Sequence, residues 1–243
     1  MTPFFIVGSP RSGTTILRNY IRSRTDLICP EETFYYRWTF PFGSNEYLNK
    51  LNSPLQKKHR EIDKIDEHDF QDLLNKSSNR KELLLGHVSL MGCNDQKSFF
   101  EKTPQHIYSV PLILSDFPKA SILFIVRNPL DSIASIYSGK TLKPGSLKGA
   151  ISYWNESYYL YKTYKKSLEN IFLVKYEDFA YNPNKVFLNL LNDLCPNVKI
   201  NNQDNSDFVK KPNIGSYLKY LNKEEAKLVF SECEEGLKHF KYN

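Results

Sequence analysis

The residues that could do chemistry begin with a short segment near the start of the sequence, residues 8–15, which read G-S-P-R-S-G-T-T. Two glycines separated by four residues and followed by hydroxyl side chains are typical of a loop whose backbone N–H groups bind a phosphate. The spacing matches a Walker A loop, except that Thr14 replaces the lysine and a cation stands earlier, at Arg11. Because that lysine reaches the β- and γ-phosphates of a nucleoside triphosphate, its absence favours a ligand without a γ-phosphate. A strand-to-helix turn without a ligand is the alternative.

A second group with the chemistry of an anion site surrounds Arg127. This arginine ends the apolar run at residues 122–126 and precedes a helical pattern that carries Ser132 and Ser135. An arginine at a strand end and a serine in the next helix can bind one phosphate together. An ordinary capped helix with a solvated arginine is the alternative.

Secondary-structure elements must position these groups, and short apolar runs rich in Ile, Val and Phe predict four buried strands. The runs cover residues 4–7, 83–85, 121–126 and 171–174. Helical patterns cover residues 14–24, 131–137, 150–168 and 183–194. Strands separated by helices pair in parallel through right-handed crossovers. The sequence therefore predicts a three-layer, P-loop-like α/β fold, with a central parallel sheet flanked by helices and phosphate binding at the strands' C-terminal ends.

The composition of the chain limits its organisation and its partners. A length of 243 residues predicts a single domain over 1–243, with a polar, helical insertion at about 43–82 that covers the acceptor side. The net charge of +6 comes without a long basic block, which argues against a nucleic-acid partner. Four scattered cysteines lack the close pairs of a metal site. The absence of a signal peptide and of a long apolar stretch predicts a cytoplasmic protein without a membrane span.

The loop at residues 10–15, P-R-S-G-T-T, resembles the 5′-phosphosulfate loop of the sulfotransferases that use 3′-phosphoadenylyl sulfate (PAPS). The resemblance implies that PAPS is the co-substrate, that adenosine 3′,5′-bisphosphate (PAP) is the product, and that no metal takes part. It also implies a set of residues that hold the 5′-phosphosulfate: Arg11, Ser12, Gly13, Thr14 and Thr15. By the same resemblance, Arg127 and Ser135, eight residues apart as in the family, bind the 3′-phosphate.

Two further segments are similar to motifs of this family. Tyr176 opens the sequence Y-E-D, in which the family's tyrosine contacts the adenine; a core tyrosine is the alternative. Residues 210–217 resemble the R-K-G-x-x-G-x-W loop that closes over the 3′-phosphate, which implies roles for Lys211 and Gly215. Pro212 stands where the motif has its first glycine, so a solvated charge pair is an equal alternative.

Sulfuryl transfer requires a base for the acceptor's proton and cations for the charge that grows on the leaving phosphate. The cytosolic family members use the histidine of a K-T-H motif, but Pro104 follows Lys102 and Thr103 here. Residues 29–33, C-P-E-E-T, resemble the C-G-E-E-T segment of tyrosylprotein sulfotransferases, which implies that Glu32 is the base. Lys102 and Arg11 would then stabilise the bridging oxygen. His106 is the alternative base.

The acceptor is less clearly indicated. Phe34 stands where tyrosylprotein sulfotransferases have an arginine that recognises acidic peptides, and aromatic residues are dense between residues 34 and 42. This composition suits a small-molecule or glycan acceptor, whose hydroxyl belongs to a carbohydrate, a phenol or a lipid. A P-loop nucleotide kinase and a non-catalytic nucleotide- or glycan-binding module are the alternative functions.

Overall fold

The computed structural model describes residues 2–94, 98–139, 142–195, 198–201 and 212–242. Four strands form one sheet: β1 (Phe4–Gly8), β2 (Phe100–Lys102), β3 (Ser121–Val126) and β4 (Ile171–Lys175). Their order is β2-β1-β3-β4, and every neighbouring pair is parallel. The predicted parallel α/β fold is therefore confirmed.

Helices connect the strands and cover both faces of the sheet. The α-helices are α1 (Thr14–Arg24), α2 (Asn45–Leu51), α3 (Pro54–Ile62), α4 (Glu67–Lys76), α5 (Arg80–Leu90), α6 (Val110–Asp116), α7 (Pro129–Tyr137), α8 (Leu147–Ser167), α9 (Tyr176–Tyr181), α10 (Pro183–Leu194), α11 (Lys223–Glu232) and α12 (Glu234–Phe240). Short 3-10 helices cover Pro104–Ser109 and Ser216–Lys219. None of the helices in the described ranges is long and apolar enough to cross a membrane.

The sheet separates two hydrophobic cores because successive side chains of a strand point to opposite faces. Phe4 and Ile6 of β1 belong to the core that packs against α1 and α10. Phe5 and Val7 belong to the larger core, which includes residues of α5, α8 and α12. Helices on both faces leave the strand ends as the place where functional side chains can reach a ligand.

One predicted strand is wrong. Residues 83–85 lie inside α5, where Leu83 and Leu84 are buried and Leu85 is 40% exposed. A run of three leucines cannot distinguish a strand from the buried face of a helix, and the Asn79 side chain caps this helix by accepting from the Glu82 N–H. The strand that completes the sheet in its place is β2, which the sequence analysis did not predict. Glu101 and Lys102 of β2 are buried although they are charged.

The segment predicted to be a helical insertion folds as α2, α3, α4 and the start of α5. The side chains of Ser44, Ser53 and Asp66 cap the first three of these helices by accepting backbone N–H groups. Such caps satisfy donors that a helix N-terminus otherwise leaves unpaired. The assignment of one domain, and of this segment to the acceptor side, stays a prediction.

Candidate active site

The predicted phosphate loop follows β1 and ends at the N-terminus of α1. Gly13 has φ +92°, and a side chain there would place its Cβ 2.4 Å from the Tyr176 ring, so only glycine fits. Arg11 has φ +66°, a left-handed conformation that is rare outside glycine. No side chain caps α1 at Gly13. The first N–H groups of the helix are therefore directed towards the loop, as in sites that bind phosphate.

The two anion-binding groups predicted from the sequence form one site. Arg11 Nε donates to Ser135 Oγ at 3.0 Å, although the two residues are 124 positions apart. Ser12 Oγ and Ser132 Oγ lie 3.4 Å apart, and Arg127 Nη1 donates to the carbonyl of Arg11 at 3.2 Å. The loop after β1 and the residues after β3 therefore hold each other at the C-terminal edge of the sheet.

The Arg127 side chain is 5% exposed, and its guanidinium carbon lies 4.9 Å from the centre of the Tyr176 ring. The Tyr176 hydroxyl accepts the N–H of Asn213 at 3.2 Å. Arg127 Nε is buried without a hydrogen-bond partner among the described residues. A buried cationic donor that lacks a partner fits an anionic ligand at this position.

Gly215 lies near these residues because Asp131 holds the segment that contains it. The Gly215 N–H donates to Asp131 Oδ2 at 2.8 Å, and the Tyr217 N–H donates to Asp131 Oδ1 at 2.9 Å. Lys211 lies outside the described residues. The sequence offered no signal for Asp131 beyond its place in the first turn of α7, because the backbone N–H groups that it accepts are 84 and 86 positions away.

Lys102 and Glu32 meet beside the phosphate loop. Lys102 Nζ forms an ion pair with Glu32 Oε1 and donates to Thr15 Oγ1 at 3.4 Å. The lysine side chain is 2% exposed, whereas the glutamate side chain is 25% exposed. Thr15 is exposed and Thr14 is buried. A cation and a partly exposed carboxylate thus stand together at the N-terminus of α1.

Glu31, the neighbour of Glu32, has a different environment. Arg18 Nη1 lies 2.7 Å from Glu31 Oε1. Burial alone would raise the pKa of Glu31, but the Arg18 guanidinium outweighs it and holds that pKa below its usual value. Glu31 is therefore held in an ion pair with α1, whereas Glu32 pairs with Lys102 beside the phosphate loop.

His106, the alternative base, is fully buried. Its Nδ1 lies 2.9 Å from Glu101 Oε2, and its Nε2 accepts the Tyr36 N–H at 3.3 Å. Both ring nitrogens face protein groups, so an acceptor molecule cannot reach either of them in this structure. The geometry favours Glu32 over His106 as the base.

The aromatic residues after Glu32 divide into two groups. Tyr35 and Tyr36 are buried in the core, whereas four others are only half-buried: Phe34, Trp38, Phe40 and Phe42. Phe34 has φ +56°, and its ring is stacked with those of Trp38 and His59, whose centroids are 6.2 Å and 6.3 Å away. His59 Nδ1 donates to the Glu32 carbonyl at 2.8 Å. A layered aromatic surface therefore begins next to the proposed base.

Sequence reasoning missed the side chains that hold this aromatic segment. Arg80 Nε donates to the Tyr35 carbonyl at 2.9 Å, and Arg80 Nη2 donates to the carbonyls of Trp38 and Phe40. Gln56 Nε2 donates to the Glu32 carbonyl at 3.1 Å. These bonds join side chains of α3 and α5 to an irregular backbone, and no local sequence pattern indicates them.

Comparisons with known proteins agree with this geometry. A family model described as "Sulfotransferase family" matches residues 3–194. The chain is 25% identical over 196 residues to the zebrafish (Danio rerio) "Protein-tyrosine sulfotransferase 1", a match that covers 79% of this chain and 52% of that protein. The chain thus spans about half the length of this curated relative.

Two solved structures show the same fold. The sulfotransferase domain of the Synechococcus PCC 7002 olefin synthase superposes with a TM-score of 0.70 at 20% identity, over 100% of this chain and 95% of that one. A mouse sulfotransferase complexed with PAP superposes with a TM-score of 0.55 at 13% identity, over 97% of this chain and 84% of the other.

Proposed function

The chain belongs to the sulfotransferase family, and on that premise we propose that it transfers a sulfuryl group from PAPS to an acceptor hydroxyl by in-line displacement. One observation supports this proposal above the others. Lys102 contacts both Glu32 and Thr15 at the N-terminus of α1. A carboxylate, a cation and the start of a helix therefore occupy one small region, which supports the roles that sulfuryl transfer requires.

We propose that the donor binds along the edge of the sheet. Arg11, Ser12 and the N–H groups at the start of α1 would hold the 5′-phosphosulfate, where positive partial charge favours an anion. Arg127 and Ser135 would hold the 3′-phosphate. The buried Arg127 Nε has no hydrogen-bond partner among the described residues, so its N–H is available to donate to that phosphate. Tyr176 lies beside Gly13 and would contact the nucleotide.

We propose that Glu32 removes the proton of the acceptor hydroxyl as its oxygen attacks sulfur. The sulfur–oxygen bond to the 5′-phosphate breaks as the new bond forms, and negative charge grows on the oxygen that leaves. Lys102 and Arg11 would stabilise that charge, an effect that strengthens from ground state to transition state. We also propose that no metal takes part, and we expect turnover without added Mg²⁺.

The acceptor that best fits this surface contains a ring. Phe34 and Trp38 present half-buried, parallel rings beside Glu32, and such rings bind flat apolar faces of sugars and phenols. A lipid hydroxyl remains in the proposed set because the same surface is apolar. A small-molecule or glycan acceptor, rather than nucleic acid, and a cytoplasmic location stay predictions.

Isothermal titration of the full chain tests the donor assignment. We expect PAP to bind more tightly than ADP, and Mg²⁺ to leave this preference unchanged. Tighter binding of ADP with Mg²⁺ would instead support a nucleotide kinase.

Incubation with PAPS and a pool of sugars, phenols and lipids, followed by mass spectrometry, tests the transfer itself. We expect a product with an added sulfate group. PAP binding without any sulfated product across the pool would favour a non-catalytic binding module.

A further inference from the structure

Glu101 is a fully buried carboxylate that the proposed reaction does not use. It precedes Lys102 in β2, and neighbouring residues of a strand point to opposite faces of the sheet. The carboxylate of Glu101 is thus directed away from the side on which Lys102 meets Glu32. A buried carboxylate is costly unless other groups compensate it, so its partners indicate what it does.

Two partners of Glu101 are the residues that directly follow Glu32 and Lys102. Thr33, which follows Glu32, donates its hydroxyl to Glu101 Oε1 at 3.1 Å, and its N–H lies 3.4 Å from the same oxygen. Thr103, which follows Lys102, donates its hydroxyl to that oxygen at 2.5 Å. One oxygen atom therefore joins two chain segments that are 70 positions apart.

His106 lies beside the other oxygen of this carboxylate. A backbone N–H can only donate, so the bond from Tyr36 N requires an unprotonated His106 Nε2. His106 Nδ1 is 2.9 Å from Glu101 Oε2, although the relative orientation of the two atoms is not that of a hydrogen bond. His106 thereby contacts the segment after Glu32 through Tyr36 and packs against Glu101, the residue before Lys102.

We propose that Glu101 and His106 form a positioning pair that fixes the distance and orientation between Glu32 and Lys102. This inference rests on the proposed function, because it assigns the pair a role in that reaction. Neither side chain contacts the phosphate loop in the described structure. The pair therefore acts on turnover rather than on donor binding.

The first test compares Glu101→Gln with a matched change elsewhere. We expect Glu101→Gln to lower kcat by roughly 10- to 100-fold, because small displacements of catalytic groups cost about this much, while the Kd for PAP stays near that of wild type. The control is Glu67→Gln, which makes the same carboxylate-to-amide change in an ion pair with the buried Arg60. This control should lower thermal stability and leave kcat unchanged.

A second pair of variants separates positioning from folding. His106→Asn keeps a donor near the Nδ1 position, whereas His106→Leu fills the space without one. We expect His106→Asn to retain more kcat than His106→Leu when both proteins are folded and bind PAP equally. Equal kcat in the two folded variants would overturn the role of His106.

The two proposals fail in different ways. The proposed function fails if wild type does not bind PAP, or binds it and forms no sulfated product. The positioning role fails if wild type does both and folded Glu101→Gln keeps the kcat of wild type, or loses kcat and PAP affinity in parallel.

Discussion

The proposed donor side and the proposed acceptor side of this site are built by different means. On the donor side, backbone conformation determines the shape of the phosphate loop. β1 ends in a loop with φ +92° at Gly13, and α1 presents its N-terminus to that loop. On the acceptor side, side chains of α3 and α5 hold an irregular segment by its carbonyl groups. The phosphate loop is thus encoded locally, although Arg127 and Ser135 join it from a distant segment, whereas the aromatic segment is held throughout by contacts between distant parts of the chain.

This difference has a functional consequence. One donor molecule requires one geometry, which a rigid loop between strand and helix provides. An acceptor surface held by side chains can change by substitution in the supporting helices without disturbing the sheet. The pair formed by Lys102 and Glu32 lies at the boundary, with the lysine on a strand and the glutamate on the irregular segment.

The largest expected effect comes from breaking that boundary pair. Glu32→Gln should lower turnover by roughly 10²- to 10³-fold, because a positioned base contributes about this much, and PAP affinity should change little.

Lys102→Met should lower turnover on the order of 10²-fold, since it removes charge stabilisation in the transition state. Steady-state kinetics with a sulfated product as the readout would measure both changes.

The neighbouring carboxylate provides the control for this experiment. Glu31→Gln makes the same chemical change one residue away, in an ion pair with Arg18. It should keep most of its turnover and lose stability instead. Equal losses of turnover in Glu31→Gln and Glu32→Gln would contradict the assignment of the base.

The next effect tests whether backbone shape determines donor binding. Gly13→Ala places a methyl group against the Tyr176 ring and retains an unfavourable positive φ. Strain of this kind costs about 1–3 kcal/mol, so PAP binding should weaken by roughly 10- to 100-fold, as measured by titration calorimetry.

Gly43→Ala is the matched control, because Gly43 has φ +79° and open space where a side chain would project. It carries the backbone strain without the clash and lies on the acceptor side. PAP affinity should be unaffected. If both variants bind PAP equally well, the fit between Gly13 and Tyr176 does not determine donor binding.

The same contrast explains which features the sequence could predict. The loop at residues 8–15 is visible because its glycines, hydroxyls and flanking strand are adjacent in the chain. Strand β2 is not visible, because burial of Glu101 and Lys102 depends on partners such as Thr33 and Glu32 from another segment. Charged residues are predicted to lie on the surface, because the distant partners that allow their burial cannot be identified from the local sequence.

The acceptor side shows this limit most clearly. The sequence predicts that the segment after residue 43 is helical, because Leu and Ile recur there at roughly helical spacing and no strand pattern is present. It does not predict that Arg80 binds three carbonyl groups around residues 35–40. An arginine in the first turn of a helix has no local feature that identifies such distant acceptors.

A smaller effect should follow from loosening the acceptor surface. Arg80→Met removes the guanidinium, whose carbon lies 4.8 Å from the centre of the Tyr47 ring, and keeps most of the apolar stem. Hydrogen bonds from charged groups contribute about 1.5–3 kcal/mol each, and part of this should appear as a roughly tenfold higher KM for the acceptor. PAP affinity should not change.

Lys81→Met provides the comparison for Arg80→Met, because it removes a positive charge from the same turn of α5. The Lys81 amine lies 5.6 Å from the centre of the Phe117 ring, away from the aromatic segment. Its acceptor KM should match that of wild type. A change in PAP affinity in Arg80→Met would show that the two sides are coupled rather than separate.

The smallest expected effect concerns stability, and it connects the acceptor segment to α1. Because the Arg18 guanidinium overcomes burial and holds the pKa of Glu31 below its ordinary value of 4.5, the charged form is favoured in the folded state. This contribution is fully present above the unfolded pKa and is lost as the pH falls through the folded pKa. Glu31→Gln should therefore be less stable than wild type near neutral pH, and the difference should shrink below about pH 4.5. Urea denaturation across this pH range measures the free energy of unfolding of both proteins. A difference in free energy that stays the same at every pH would show that the charge of Glu31 does not stabilise the contact between this segment and α1.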